Sequence, residues 1–269
     1  MISTSTARNV ARILDQHGVT TPEGITEALA VLAAAHQAAD YDPATELATE
    51  FLAGQLDTDN VGDRVRTAAA ALTAQASARQ LAAGLEGAAS RVASTALYDH
   101  GDRVITELRP AFDSAADLVM DAARYFPPDT TAAGAAEHGS TALAAFEKLD
   151  GALAQLAQVR TVRVALADCR YGEPEQTASW WIASAPDSDA LAVAQGALNG
   201  PGHFFHQLAH RGLTLRLNTA EEARRVASGA AAVTAQREAA ELKERQARAA
   251  AEAKSFGWTP PRAIRVGSR

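Results

Sequence analysis

NVGDRVRTAAAALTAQASARQLAAGLEGAASRVASTAL, residues 60–97, decides the fold. Alanine loses no side-chain entropy on entering a helix and is the strongest intrinsic helix former, and no proline interrupts the stretch, so one long helix is expected. Its larger apolar residues fall into two sets, Val61, Val65 and Leu72, then Leu81, Leu85 and Val92, which are out of phase with each other. Gly84 and Gly87 lie near the change, and a bend or short break is expected there. The same composition pervades the chain: 65 of its 269 residues are alanine, with runs at Ala68–Ala71, Ala230–Ala232 and Ala249–Ala251. Each buried alanine contributes one methyl group, worth about 0.8 kcal/mol. Thin, elongated helix packing follows.

Working outward, residues 1–126 read as an N-terminal helical region. Its first 56 residues hold three short helices. Thr21-Pro22-Glu23 and Asp42-Pro43 are start signals, a capping side chain before a proline that suits the first turn. Ile25, Leu29, Leu32 and His36 recur at helical spacing in the second helix, and Leu47, Phe51 and Leu52 supply the expected buried face of the third. Asp99 to Asp102 reads as a turn. Beyond it Val104, Leu108, Phe112, Val119 and Phe126 share one face, with Pro110 inside the stripe predicting a kink near Glu107 or a split helix.

Pro127-Pro128 ends that helix, and 127–139 is assigned as a flexible linker. Residues 140–218 read as a helix plus a small mixed segment. In the helix, Phe146, Leu149, Leu153 and Leu156 keep the three-and-four spacing of a packed seam, which breaks at Arg160 and Arg163. Leu213, Leu215 and Leu217 alternate with polar residues as in a strand, with Ser179–Ser184 or Ile264 and Val266 as candidate partners. Thr219-Ala220-Glu221-Glu222 is a capping box opening a long C-terminal helix over 219–254, on which Ala223, Val226, Ala230, Val233, Ala240, Ala247 and Ala251 share a spacing. Residues 255–269 form a basic tail.

Three groups of residues invite a functional reading. His203, His206 and His210 fall within about 60° of one another on a helix, which is a weak metal-site pattern, because no acidic ligand accompanies them and Phe204, Phe205 and Leu208 give the same helix a core to fill. Packing and capping are their expected roles, and no metal or other cofactor is assigned. Trp180-Trp181 reads first as local core and second as a partner anchor. The tail is the strongest lead. Lys254, Arg262, Arg265 and Arg269 around Trp258 suit phosphates with a stacked base, or the acidic surface of a protein, another copy of this chain included. The bland alternative is a solvated terminus.

Charge points the same way. Residues 202–269 carry 12 Lys/Arg against 6 Asp/Glu, leaving 13 against 26 for residues 1–201, so an acidic body ends in a basic segment. A single cysteine, Cys169, forbids an intrachain disulfide and reads as a small buried hydrophobe. The chain has no apolar run that reads as a signal peptide or membrane span, so a soluble cytoplasmic protein is expected. Walker loops, dinucleotide glycine fingerprints, zincin motifs and nucleophile elbows do not occur, and nothing points to an active site. An acidic helical body with a basic C-terminal segment is similar in plan to scaffolding and minor structural proteins of tailed bacteriophages, a likeness of composition that rests on no motif. The expectation is an all-α, extended, non-enzymatic assembly or scaffolding protein. It would self-associate through alanine-lined helices, some of them as coiled coil, and engage another protein through its basic end. The alternative is a nucleic-acid-binding accessory protein using that same end.

Overall fold

A computed structural model describes residues 1–40, 42–171, 182–184 and 204–255. They form α1 (Thr4–Gln16), α2 (Glu23–Ala39), α3 (Pro43–Leu52), α4 (Val61–Asp99), α5 (Gly101–Tyr125), α6 (Ala132–Glu137), α7 (Ser140–Asp168), β1 (Ala183–Ser184), α8 (Phe204–His210), β2 (Thr214–Leu215) and α9 (Ala220–Ser255). The chain is mostly helix. Its one described sheet is the antiparallel pair of β1 and β2, with Ala183 opposite Leu215 and Ser184 opposite Thr214. At 1.5 Å per residue α4 spans about 58 Å and α9 about 54 Å. A compact sphere of this chain length would be roughly 48 Å across. Either helix alone outruns it.

Two packed groups result. In one, α2 and α3 lie along α4; in the other, α5 and α7 pair and carry α6, α8 and β2, while α1 touches both groups. The core sits in the second group, where Val104, Leu108, Phe112 and Val119 of α5 face Leu149, Leu156, Val159 and Leu166 of α7 and Phe205 and Leu208 of α8. Phe112 meets Phe205 edge-on at 6.2 Å. Burial of that stripe explains why α5 continues through Pro110 as one helix, so the expected alternative of two split helices does not occur. The interior proline costs about 3 kcal/mol, which several fully buried side chains at roughly 1.5–3 kcal/mol each offset. Likewise α4 is one continuous helix through Gly84 and Gly87.

Local signals behave unevenly. Asp42 caps α3 through the Ala44 and Thr45 amides as expected, and the Thr45 hydroxyl, then these amides, hold its carboxyl below the usual range. By contrast α2 starts at Glu23 behind Pro22 with no side-chain cap, so Thr21 does not play that part. His100 alone separates α4 from α5. Between Pro127 and Gly139 the chain makes α6, whose Ala135 is fully buried, with α6 packed on α7. The seam of α7 does not stop at its arginines: Val159, Val162, Arg163 and Leu166 continue it, and Arg163 is only 1% exposed. Arg160 instead lays its guanidinium 4.4 Å over the Phe204 ring.

Candidate interaction surfaces

Helix α4 is packed inside out relative to expectation. Its buried positions are Gln75, Ala82, Ala89, Ser90, Ala93 and Leu97, mostly small residues. Val61, Val65, Leu72, Leu81, Leu85 and Val92 are all exposed, Leu81 at 69%. Around the helix Val61, Val65 and Leu72 lie about 160° from Leu81, Leu85 and Val92 at 100° per residue, so no single neighbouring helix covers both triads. At the start of α2 the approach is close: a Cβ on Gly24 would sit 2.9 Å from the Ala96 Cβ, whereas farther along Leu32 is buried against Ala28 and Ala89. The larger aliphatics are left outside, and Val31 of α2 joins them.

The same holds at α3. Leu47 is half-buried, but Phe51 and Leu52, expected in the core, are 68% and 84% exposed. An Arg64–Glu50 ion pair ties α3 to α4 without covering them. Between α2 and α4, Val31, Leu32, Leu85 and Val92 line an apolar groove of about 230 Å³ with Glu27 at its edge. Glu27 has no ion-pair partner among the described residues, and Glu86 of the same helix pair lies 3.5 Å from the His36 Nε2.

Helix α9 is anchored only at its base. The capping box forms as its residues predict: the Glu222 amide donates to the Thr219 hydroxyl at 3.3 Å, and the Thr219 amide donates to the Glu222 carboxylate at 2.9 Å. Arg109 of α5 bonds that carboxylate too. Burial opposes its ionisation, but the Thr219 amide and the Arg109 charge prevail and hold the Glu222 carboxyl below the ordinary range. Beside it the Tyr171 hydroxyl donates to Asp102 and accepts from the Ala220 amide at 3.3 Å. Burial, then the Asp102 bond, pushes that phenol up to about 12. Arg163 stacks 5.1 Å from the Tyr171 ring, and burial brings its guanidinium down to about 10. Ala223 and Ala230 are buried against the body, with Val226 and Ala227 partly covered.

From Ala231 to Glu252 every side chain but that of Thr234 is exposed. Val233, Ala240, Ala247 and Ala251, grouped by the sequence reading, are among them. A better seam lies on another face. Ser228, Ala232, Ala235, Ala239, Leu242, Gln246 and Ala249 follow one another at alternating steps of 4 and 3 and carry no charge. Taking Ala232, Ala239 and Gln246 as heptad position a, the charged residues at the flanking g and e positions are Glu238, Arg245 and Lys243. Along the helix Arg237 and Arg245 pair with Glu241, and Arg248 with Glu244. Glu238 and Lys243 have no ion-pair partner among the described residues. Searching for unbroken 4–3 spacing free of charge, instead of for the largest apolar residues, finds this face from sequence.

Of the histidines singled out earlier, the two that are described, His206 and His210, do not converge. His206 is fully buried in α8 with its ring edge-on to Phe126 at 5.6 Å, whereas His210 is exposed, its Nδ1 3.2 Å from the Ala123 carbonyl. His203, Trp180, Trp181, Trp258, Arg262, Arg265 and Arg269 lie outside the described residues. Lys254 stands on the last turn of α9, and its side chain too lies outside them. Among the described residues no three His, Cys, Asp or Glu side chains gather as a metal-ion site, and no helix is long and apolar enough to cross a membrane. Cys169 is buried, and burial pushes its thiol up. No family model, curated protein or solved structure matches the chain. The surfaces themselves therefore carry the functional argument.

Proposed function

We propose that the protein is a non-enzymatic assembly or scaffolding-type protein that self-associates through α9 and engages a partner through the basic segment behind it. The observation that carries this is the exposed run of α9 from Ala231 to Glu252. Tertiary packing supplies most helical stability in proteins, and helical pairs along α9 add only about 0.2–0.5 kcal/mol each. A second copy is the natural cover for its uncharged seam. In a parallel pair, Glu238 of one helix faces Lys243 of the other, an arrangement an antiparallel pair loses. Alanine at most core positions makes this a weak coiled coil that needs reinforcement elsewhere, and Leu242 is its one large core residue.

Light-scattering mass after size exclusion tests the reading on full-length protein freed of nucleic acid. A concentration-dependent dimer or larger oligomer is expected. Glu238→Lys weakens it through like charge against Lys243, and adding Lys243→Glu restores it. A monomer at all concentrations, or no rescue, refutes pairing through this seam. The excess of basic residues in 202–269 favours a second reading, nucleic-acid binding. That reading requires an affinity that falls steeply with salt and disappears on deletion of 255–269.

A further inference from the structure

We infer that the apolar groove between α2 and α4 receives the C-terminal segment, residues 256–269, of a second copy of this chain. The inference rests on the self-association reading and names its second contact.

The groove has the composition of a docking site. Val31, Leu85 and Val92 stand around it, exposed to water. Leu81 extends the apolar surface along α4. Exposed contiguous apolar surface of this kind marks interaction sites. Its borders are acidic: the stretches 23–40 and 81–99 contain 5 Asp/Glu against 1 Arg and no Lys, a net of −4, and Glu27 on the rim has no ion-pair partner among the described residues.

Residues 256–269 are the complement. They hold Phe256, Trp258, Ile264 and Val266 to fill an apolar groove, Arg262, Arg265 and Arg269 to face its acidic margin, and no acid at all. No other 14-residue stretch of the chain combines three arginines and a tryptophan without an acid. Aromatic and arginine side chains are the usual anchors of such contacts. The segment starts far from the packed base of α9. Ala230 is the last buried residue described on that helix, the 25 residues from there to Ser255 carry the chain about 37 Å along it, and Trp258, three residues on, can return by no more than about 10 Å. A tail-to-groove contact is heterologous, and one copy can therefore give its tail to a second while its groove takes the tail of a third.

The test places a photoreactive benzoylphenylalanine at position 258 of the full chain and irradiates an equal mixture of unlabelled and nitrogen-15-labelled protein. Cross-links are expected from residue 258 to the 23–40 and 81–99 stretches, half of them joining one isotopic form to the other. Glu27→Arg, a surface change that leaves the circular dichroism unaltered, should lower the yield about tenfold by setting like charges together. Cross-links confined to single chains, cross-links to any other surface, no cross-link, or an unchanged yield in Glu27→Arg each overturns the inference. The mass measurement separates this failure from the broader one. An oligomer whose tail cross-links miss the groove defeats only the groove, whereas a monomer defeats both.

Discussion

Gly101→Ala is ordinarily a stabilising change in a helix, and here it should be among the most damaging single-methyl additions available. Helix α7 ends with Arg170 in the left-handed region, φ 66°, and the Tyr171 amide turned back to the Leu166 carbonyl at 3.0 Å. That reversal sets the Tyr171 ring against the first residue of α5. A Cβ on Gly101 would lie 2.4, 2.5 and 2.9 Å from Cδ2, Cε2 and Cγ of the ring. Ordinary carbon contacts are about 3.5–4.0 Å, so the ring must retreat by roughly 1 Å. It has little room to do so, being 7% exposed, backed by Arg163 and held at its hydroxyl by Asp102 and the Ala220 amide. Retreat gives up a bond to a charged acceptor, about 1.5–3 kcal/mol, and a neutral one, about 0.5–1.5 kcal/mol. The intrinsic gain of alanine over glycine returns up to about 1 kcal/mol. A net loss of about 1–4 kcal/mol follows, read as a lower urea midpoint by circular dichroism. In a Tyr171→Ala background the collision is gone, and the same change should be neutral or stabilising by up to about 1 kcal/mol. Equal effects in the two backgrounds, or a native-background variant as stable as wild type, would refute the packing argument.

Three further outcomes are expected. Glu222→Gln should cost about 1–2 kcal/mol at pH 7 by weakening the capping box and the half-exposed Arg109 pair. Because the folded pKa of Glu222 is depressed, its contribution is full above the unfolded value near 4.5 and is lost as pH falls through the folded one, so wild type and variant should converge in acid denaturation. Arg170→Gly relieves a left-handed side chain against the entropy glycine adds to the unfolded state, and should raise the urea midpoint by up to about 1 kcal/mol in stability; a lower midpoint would show that the Arg170 side chain holds something the backbone does not reveal. Cys169, its thiol pushed up by burial, should react with an alkylating reagent at pH 8 only as fast as the chain opens, and reaction at the rate of a free thiol in native protein would contradict its place in the core.

What was legible in the sequence followed from local chemistry. Asp42-Pro43 and the Thr219–Glu222 box each fix a helix start through bonds spanning three residues, and both form as written. The α5 stripe is legible because its large residues share one face of one helix. Misreadings arose where tertiary contact chose among options that local chemistry left open. Arg163 looks like the end of a seam until Tyr171 is brought over it by the reversal at Arg170. Pro110 looks like a break until the stripe around it is seen to be wholly buried. No local rule announces that α4 will bury alanines and expose leucines, since that depends on which face α2 covers.

The exposed leucines follow from the same composition that made the helices legible. An alanine seam lets helices approach closely, but it buries about one methyl group per residue, so a helix of this kind gains little from any one neighbour. Length is one way to recover stability, and α4 and α9 are both longer than a compact sphere of this chain would be wide. A helix that outruns its own core exposes whatever lies on its uncovered faces: in α4 these are aliphatics over a groove with an acidic margin, and in α9 an uncharged seam flanked by Glu238 and Lys243. Both surfaces are too thin to fold against alone and too apolar to be ordinary solvated faces. Under the proposed self-association, further copies would satisfy both conditions without adding core to the monomer, and the residues that stabilise this fold least would be the ones that join it to others.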